Sequence, residues 1–178
     1  MERLSEQGVI DLLYMDAARV SASAVVPYGW QFADEDVFMP STPGVGINCW
    51  AVLTRTNACH FHTTRATITS QFVLEQLDHL SIGLRKLTVL VLDNAPVHTA
   101  RSIQERRAVW EQRGLYLLYL PRYAPHLNIV ETLWRKLKYE WLSPKDYDTT
   151  AGLFYTVRQA LAAVGHSLWI TFSAFRLP

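Results

Sequence analysis

Three carboxylates in this chain stand where a hard cation would want them. Val89-Leu90-Val91-Leu92, a run typical of a buried strand, ends abruptly in Asp93-Asn94-Ala95-Pro96-Val97-His98. Leu12-Leu13-Tyr14-Met15 runs into Asp16 in the same way. Glu131 follows in Pro125-His126-Leu127-Asn128-Ile129-Val130-Glu131. Mg²⁺ and Mn²⁺ take oxygen ligands, commonly one or two carboxylates each, with water and substrate phosphate completing the shell. Two strand-borne aspartates and a helix-borne glutamate are therefore a ligand set for two-metal phosphoryl transfer. Each residue also has a plainer role. Asp93-Asn94-Ala95-Pro96 is good turn chemistry, and Asn128 with Glu131 three residues on has the spacing of a helix capping box.

The elements that must position these residues can be read from periodicity and breakers. Residues 9–16 read as a buried strand, and 17–46 as irregular, broken by Pro27, Gly29, Pro40, Pro43, Gly44 and Gly46. Strands are expected at 47–53 and 58–63, joined by a hairpin turn at Thr54-Arg55-Thr56-Asn57. A helix is expected over 69–83, capped by Thr69 or Ser70, then a strand at 87–92. A charged helix over 99–113 ends at Gly114, and a short strand covers 115–119. Pro121 and Pro125 bracket a loop. A helix is then predicted from about 127 to 142, with Leu127, Val130, Trp134, Leu137 and Trp141 as its apolar stripe and Asn128, Glu131, Arg135 and Lys138 beside it. A last helix covers roughly 149–164. Residues 165–178 have weak pattern: a tail packed through Trp169 and Phe172, or a mobile one. The order predicts an α/β fold, a mixed sheet with helices against it. If the strands ending at Asp16 and Asp93 are parallel neighbours, both acids sit in the crevice where open α/β sheets bind ligands.

Bulk properties fit this reading and remove others. At 178 residues, 49% hydrophobic and 19% charged, the chain is expected to form one ordinary globular domain. No apolar run approaches a membrane span, and no signal peptide is visible at the N-terminus. Cys49 and Cys59 form no CxxC and have no zinc spacing, so reduced thiols in a cytosolic protein are expected. The net charge of +1 announces no nucleic-acid partner. Locally, Arg101, Arg106, Arg107, Arg113, Arg122, Arg135, Lys136 and Lys138 gather after Asp93, as a DNA-facing side or as ordinary solvated helix faces.

Between Val91 and Trp141 the sequence resembles the catalytic domain of DDE transposases, in particular the bacterial insertion-sequence branch of the mariner-like superfamily. The likeness rests on Asp93-Asn94-Ala95-Pro96-Val97-His98, on Tyr119-Leu120-Pro121-Arg122-Tyr123-Ala124-Pro125-His126-Leu127-Asn128-Ile129-Val130-Glu131, and on Trp134-Arg135-Lys136-Leu137-Lys138. Thirty-seven residues separate Asp93 from Glu131, close to the spacing usual for that branch. Asp16 with Pro27-Tyr28-Gly29-Trp30 matches the segment around the first acid. Ala17 and Ile129 depart from the family pattern, where Glu and Pro are common, but neither change removes a ligand.

The resemblance implies an RNase H-like fold over residues 1–164, with 165–178 as a C-terminal tail. It implies two Mg²⁺ ions, replaceable by Mn²⁺, held by Asp16, Asp93 and Glu131, and DNA strand cleavage and transfer in cut-and-paste transposition. Asn94, His98 and Asn128 would order the site. Arg122, Arg135 and Lys138 would grip the DNA backbone. The partners implied are transposon-end and target DNA, a second copy in a homodimer on DNA, and a separate helix-turn-helix chain that reads the ends. The location implied is the bacterial cytoplasm, at the nucleoid, with no membrane. Two other readings share the fold: an inactive or domesticated domain that binds DNA or a partner, and an RNase H-like nuclease acting on hybrids or junctions.

Overall fold

The computed structural model describes residues 1–23, 41–122 and 124–173, without the side chains of 41–44. The predicted Tyr28-Gly29-Trp30 match and Tyr123 lie outside the described residues. A short helix α1 (Glu2–Glu6) precedes β1 (Asp11–Ser23), β2 (Ser41–Leu53) and β3 (Cys59–Thr64). Then follow α2 (Ser70–Ile82), β4 (Thr88–Leu92), α3 (Arg101–Gln112) and β5 (Leu115–Tyr119). A 3₁₀ turn (Pro125–Leu127) leads into α4 (Val130–Lys136), which continues as a π turn (Leu137–Trp141). A second 3₁₀ turn (Pro144–Tyr147) and α5 (Thr150–Ala163) complete the regular elements among the described residues.

The five strands form one sheet in the order β3-β2-β1-β4-β5, with β1–β2 and β2–β3 antiparallel and β1–β4 and β4–β5 parallel. Helices cover both faces, which explains why β4, Thr-Val-Leu-Val-Leu, is apolar at nearly every position and buried throughout. Alternation assigns the faces. Leu12, Tyr14, Val89 and Val91 point to the side of α4 and α5, where they meet Val130, Leu133, Trp134, Leu153 and Val157. Met15, Leu90 and Leu92 point to the side of α2 and α3, against Val73, Leu77, Ile103 and Trp110. By the same parity Asp16 and Asp93 fall on the α4 side.

Helices 70–82, 101–112 and 150–163 lie within a residue or two of expectation, and Thr69 and Thr149 cap α2 and α5 through their hydroxyls. Three expectations are corrected. β2 begins at Ser41 rather than at 47, within the stretch read as irregular. β1 does not stop at Asp16 but runs to Ser23, because Ala18, Val20 and Ala22 join the apolar core on one face while the strand continues its ladder with β2. That stretch alternates small apolar with polar residues, a weak period-two signal. The helix expected over 127–142 begins only at Val130 and widens to π geometry after Lys136. Pro125 starts a separate 3₁₀ turn, and Asn128, with ψ 109, is extended.

Two polar clamps hold the periphery. Asp78 on α2 accepts hydrogen bonds from Arg106 Nε (2.9 Å) and Trp110 Nε1 (2.8 Å) on α3, with Arg113 3.7 Å away. Asn57, at φ 65 in the hairpin turn, donates to the Ile170 carbonyl (3.0 Å) and accepts from the Ile170 amide (2.7 Å). Ile170 and half-buried Phe172 dock the segment after α5; Trp169 remains 61% exposed.

Asn57→Ala leaves both backbone groups of buried Ile170 unpaired, so urea denaturation is expected to show a loss of about 3 kcal/mol. A second prediction concerns acid. Burial raises the Asp78 pKa, but the hydrogen bonds and charges of Arg106, Trp110 and Arg113 outweigh it and leave it below the usual carboxylate value. The clamp therefore contributes stability above the unfolded-state pKa and loses it as pH falls through the folded one. Asp78→Asn is expected to flatten the acid limb of the stability–pH curve measured by thermal denaturation.

Candidate metal centre

The β1–β4 ladder pairs Leu12 with Val89, Leu13 with Leu90 and Tyr14 with Val91. Continued by two residues, the same register brings Asp16 opposite Asp93. The two aspartates are thus neighbours on one face of the sheet, at the point where β4 ends and β1 goes on. The third acid comes from α4, which packs on that face.

Two side chains fix α4 to β1. Asn128 is buried; its Nδ2 donates to the Met15 carbonyl (2.9 Å) and its Oδ1 accepts from the Val130 amide (3.2 Å). One residue thereby ties the strand beside Asp16 to the first turn of the helix that carries Glu131. Trp134, one turn further, donates its indole Nε1–H to Asp16 Oδ2 (2.9 Å). This is a second tie and holds the Asp16 carboxylate in one orientation. Sequence reading missed this role of Trp134, which counted only as part of an apolar stripe. The available signal was chemical: a buried indole N–H needs an acceptor.

The capping box predicted for Asn128 and Glu131 does not form. The Asn128 amide is bonded to the Pro125 carbonyl (2.8 Å), and the Glu131 carboxylate makes no hydrogen bond to another described residue. Glu131 is exposed on the rim of the site.

Asp93 has both a turn role and an accessible oxygen. Its Oδ1 accepts from the Ala95 amide (3.0 Å) and from His98 Nδ1 (2.6 Å), leaving Oδ2 uncommitted. The side chain of His98 is buried at 2% exposure, while that of Asp93 is 49% exposed. His98 is held from behind, its carbonyl accepting from Tyr119 Oη (2.8 Å), and its Nε2 has no partner among the described residues. Asn94 donates to the Leu120 carbonyl and so joins the ends of β4 and β5.

The electrostatics reflect this crowding. Burial, together with the charges of Glu131 and Asp93, pushes Asp16 up to about 6, against the opposing pull of the Ala17 amide and the Trp134 indole. Asp93 is shifted the other way, chiefly by the hydrogen bond from His98. The repulsion felt by Asp16 is what a bound cation removes. Among the described residues no group of three or more His, Cys, Asp and Glu side chains converges on one point able to hold an ion. The donor chemistry nevertheless fits Mg²⁺ or Mn²⁺. Two neighbouring carboxylates, each with an oxygen pinned by the protein, and a third on the rim suit an ion whose remaining ligands are water and phosphate. Cys49 and Cys59 are free, and burial raises both thiols to about 12.

The basic residues divide. Arg122 is exposed and lines a cleft of about 370 Å³ with Asp93, Asn94 and Pro125. Lys138 places its charge near Cys49 on β2, toward the other side of the site. Arg135 is 61% exposed and paired with Glu140 (3.4 Å), and it lines a different groove with Glu2, Leu12 and Phe172. The structure therefore does not group it with the acids.

Comparison with known proteins agrees with this geometry. No described helix is long and apolar enough to cross a membrane. Among curated proteins no match was found. The chain is similar in structure to the Mos1 mariner paired-end complex with Mn, at 15% identity and a TM-score of 0.63 over 91% of this chain and 51% of that one. It is also similar to a chain of the simian T-cell lymphotropic virus intasome in complex with PP2A regulatory subunit B56 gamma, at 14% identity and a TM-score of 0.62 over 90% of this chain and 50% of that one. The catalytic core domain of BIV integrase matches at 18% identity and a TM-score of 0.53, over 88% and 84% of the two chains. The chain thus spans about half the length of the first two, and at these identities the likeness establishes the fold, an RNase H-like mixed sheet flanked by helices. The family model for the DDE superfamily endonuclease matches residues 11–153, a span that holds all three acids, and the chain belongs to that family.

Proposed function

We propose that this chain is the catalytic domain of a transposase of the bacterial insertion-sequence, mariner-like type, cutting and joining DNA with divalent metal. The observation that carries the reading is the β1–β4 register, which continued by two residues sets Asp16 opposite Asp93, on the face where Asn128 and Trp134 fasten the helix of Glu131. Residues 1–164 form the catalytic unit and 165–178 its tail.

Asp16, Asp93 and Glu131 are the ligands for two Mg²⁺ ions, with Mn²⁺ as substitute. Bound there, the metals supply Lewis acidity at the scissile phosphate and lower the pKa of the attacking oxygen's proton. In cleavage a water oxygen bonds to phosphorus and the bridging 3′ oxygen leaves as a hydroxyl. In strand transfer that 3′-hydroxyl attacks a target phosphodiester and displaces its 3′ oxygen. Trp134 and His98 orient the Asp16 and Asp93 carboxylates, Asn94 ties the two strand ends, and Asn128 sets the height of α4. Arg122 and Lys138 flank the acids and neutralise backbone phosphates; Arg135, paired with Glu140, is assigned a more distant contact. The Mos1 paired-end complexes with Mn and with Mg support divalent metal use; a homodimer acting on DNA ends is part of the proposed arrangement. A separate helix-turn-helix chain reading those ends completes the proposed arrangement, at the bacterial nucleoid.

One observation favours a second reading, an inactive or domesticated domain that binds DNA without cutting: no three potential ligands converge among the described residues.

Incubation with a transposon-end duplex separates the two. The first reading predicts Mg²⁺-dependent nicking, reduced by Asp93→Ala on the order of a thousandfold, the scale of several kcal/mol of transition-state charge stabilisation. Equal cutting by parent and variant contradicts it. Trp134→Phe keeps the ring's packing but removes the bond to Asp16. The expected result is a loss of about 2 kcal/mol in denaturant unfolding and weaker Mn²⁺ binding by calorimetry. Unaltered Mn²⁺ affinity would show that Trp134 does not orient the ligand.

A further inference from the structure

Two long segments of this chain carry no acidic residue: 54–74 and 149–178. The fold brings them together. α5 packs against β3, the edge strand of the sheet. Between them runs a groove of about 550 Å³ whose walls include Phe61, Arg65, Phe154, Tyr155, Arg158 and Gln159, with no carboxylate among its lining residues. Arg65 lies over the Phe154 ring, its guanidinium carbon 4.6 Å from the centroid. Neither Arg65 nor Arg158 has a carboxylate partner among the described residues, whereas Arg55, Arg101, Arg106, Arg107, Arg113 and Arg135 all do. Tyr155 projects its ring into solvent at 66% exposure.

The position of this groove matters as much as its charge. Asp16 pairs with Ala51, and Ala51 with Phe61, so the groove begins in register with the first acid, two strands away. At the usual strand spacing that is roughly 10 Å. From Phe61 the strand runs on toward Arg65, in the direction β1 takes beyond Asp16. Lys138 adds positive charge that reaches Cys49 on the intervening strand. Unpaired guanidiniums with exposed aromatic faces are the combination that grips a polynucleotide: charge for the phosphates, rings for stacking.

We propose that the groove between β3 and α5 is a second contact site for the DNA strand engaged at the carboxylates, with Arg65 and Arg158 on backbone phosphates and Tyr155 against a sugar or base. The site rests on the functional reading above and extends it, since it fixes the side of the sheet, past β3 rather than β5, along which the DNA leaves. An arginine stacked on a ring and one beside an exposed tyrosine hold phosphate without reading sequence, so the contact is sequence-tolerant.

The test is fluorescence anisotropy with a labelled DNA duplex of arbitrary sequence, over a range of NaCl concentrations, using the whole chain. R65A/R158A is expected to weaken binding about equally for all sequences and to reduce the slope of log affinity against log salt by about 2, one for each phosphate no longer neutralised. R65K/R158K, which keeps the charges, is expected to restore most of the slope; that separates phosphate binding from the stacking of Arg65 on Phe154. A parent that binds DNA with a salt-dependent affinity unchanged in R65A/R158A overturns the groove and leaves the catalytic assignment standing. A parent with no salt-dependent DNA binding overturns both. Capture of an acidic protein by this face, with DNA affinity unaltered in the variant, also counts against the proposal.

Discussion

The site depends on one constraint, the docking of α4 against β1 at a single height. A sheet delivers two of the acids cheaply: parity puts Asp16 and Asp93 on one face, and the parallel register aligns them. The third acid comes from a helix that the sheet alone does not position along its length, because apolar packing is non-directional. Asn128 and Trp134 supply the direction. The amide reaches the Met15 carbonyl on one side of Asp16's backbone and the indole reaches the Asp16 carboxylate itself. Both donors are buried, so a helix shifted by a fraction of a turn would leave polar groups without partners.

The same arrangement sets stability against function. Asp16 is buried beside two other carboxylates, and burial with their charges raises its pKa to about 6. A core position filled for stability would not hold such a group. The protein offsets the strain locally, through the indole on Asp16 and the imidazole and turn amide on Asp93, and a cation would offset the remainder. The scaffold around the site is conventional by comparison. β4 is apolar on both faces, and the outer helices are capped by threonine hydroxyls or clamped by Asp78.

Much of this was legible in the sequence, for physical reasons. Val89–Leu92 announces a strand buried on both faces, and Asp93 interrupts it with turn chemistry, so its place at a strand end follows from local pattern. α2, α3 and α5 show helical periodicity and cap residues. Asp16 was harder. Its strand continues through residues whose alternation is faint, so the sequence shows the acid at an end where the structure shows it within the strand. The region from Pro125 to Trp141 reads as one helix because Leu127, Val130, Trp134, Leu137 and Trp141 step by three and four. The structure divides it into 3₁₀, α and π segments, since Asn128 is drawn into an extended conformation by its tertiary bond to Met15. No local pattern encodes a hydrogen bond across more than a hundred residues, and so the partners of Asn128 and Trp134 were out of reach, although the family likeness counted Asn128 among the residues that would order the site. The family likeness counted Arg135 among the residues that would grip DNA, and the structure pairs that side chain with Glu140.

The central claim is that Asp16 and Asp93 together ligate a divalent ion while α4 is held as described. Anomalous diffraction from crystals of the protein soaked in Mn²⁺ tests it most directly. The account predicts a Mn²⁺ peak between the Asp16 and Asp93 carboxylates, with Trp134 Nε1 still on Asp16 Oδ2 and Glu131 turned inward from the rim. A chain that shows no Mn²⁺ at these aspartates, with or without a bound DNA end, would contradict it.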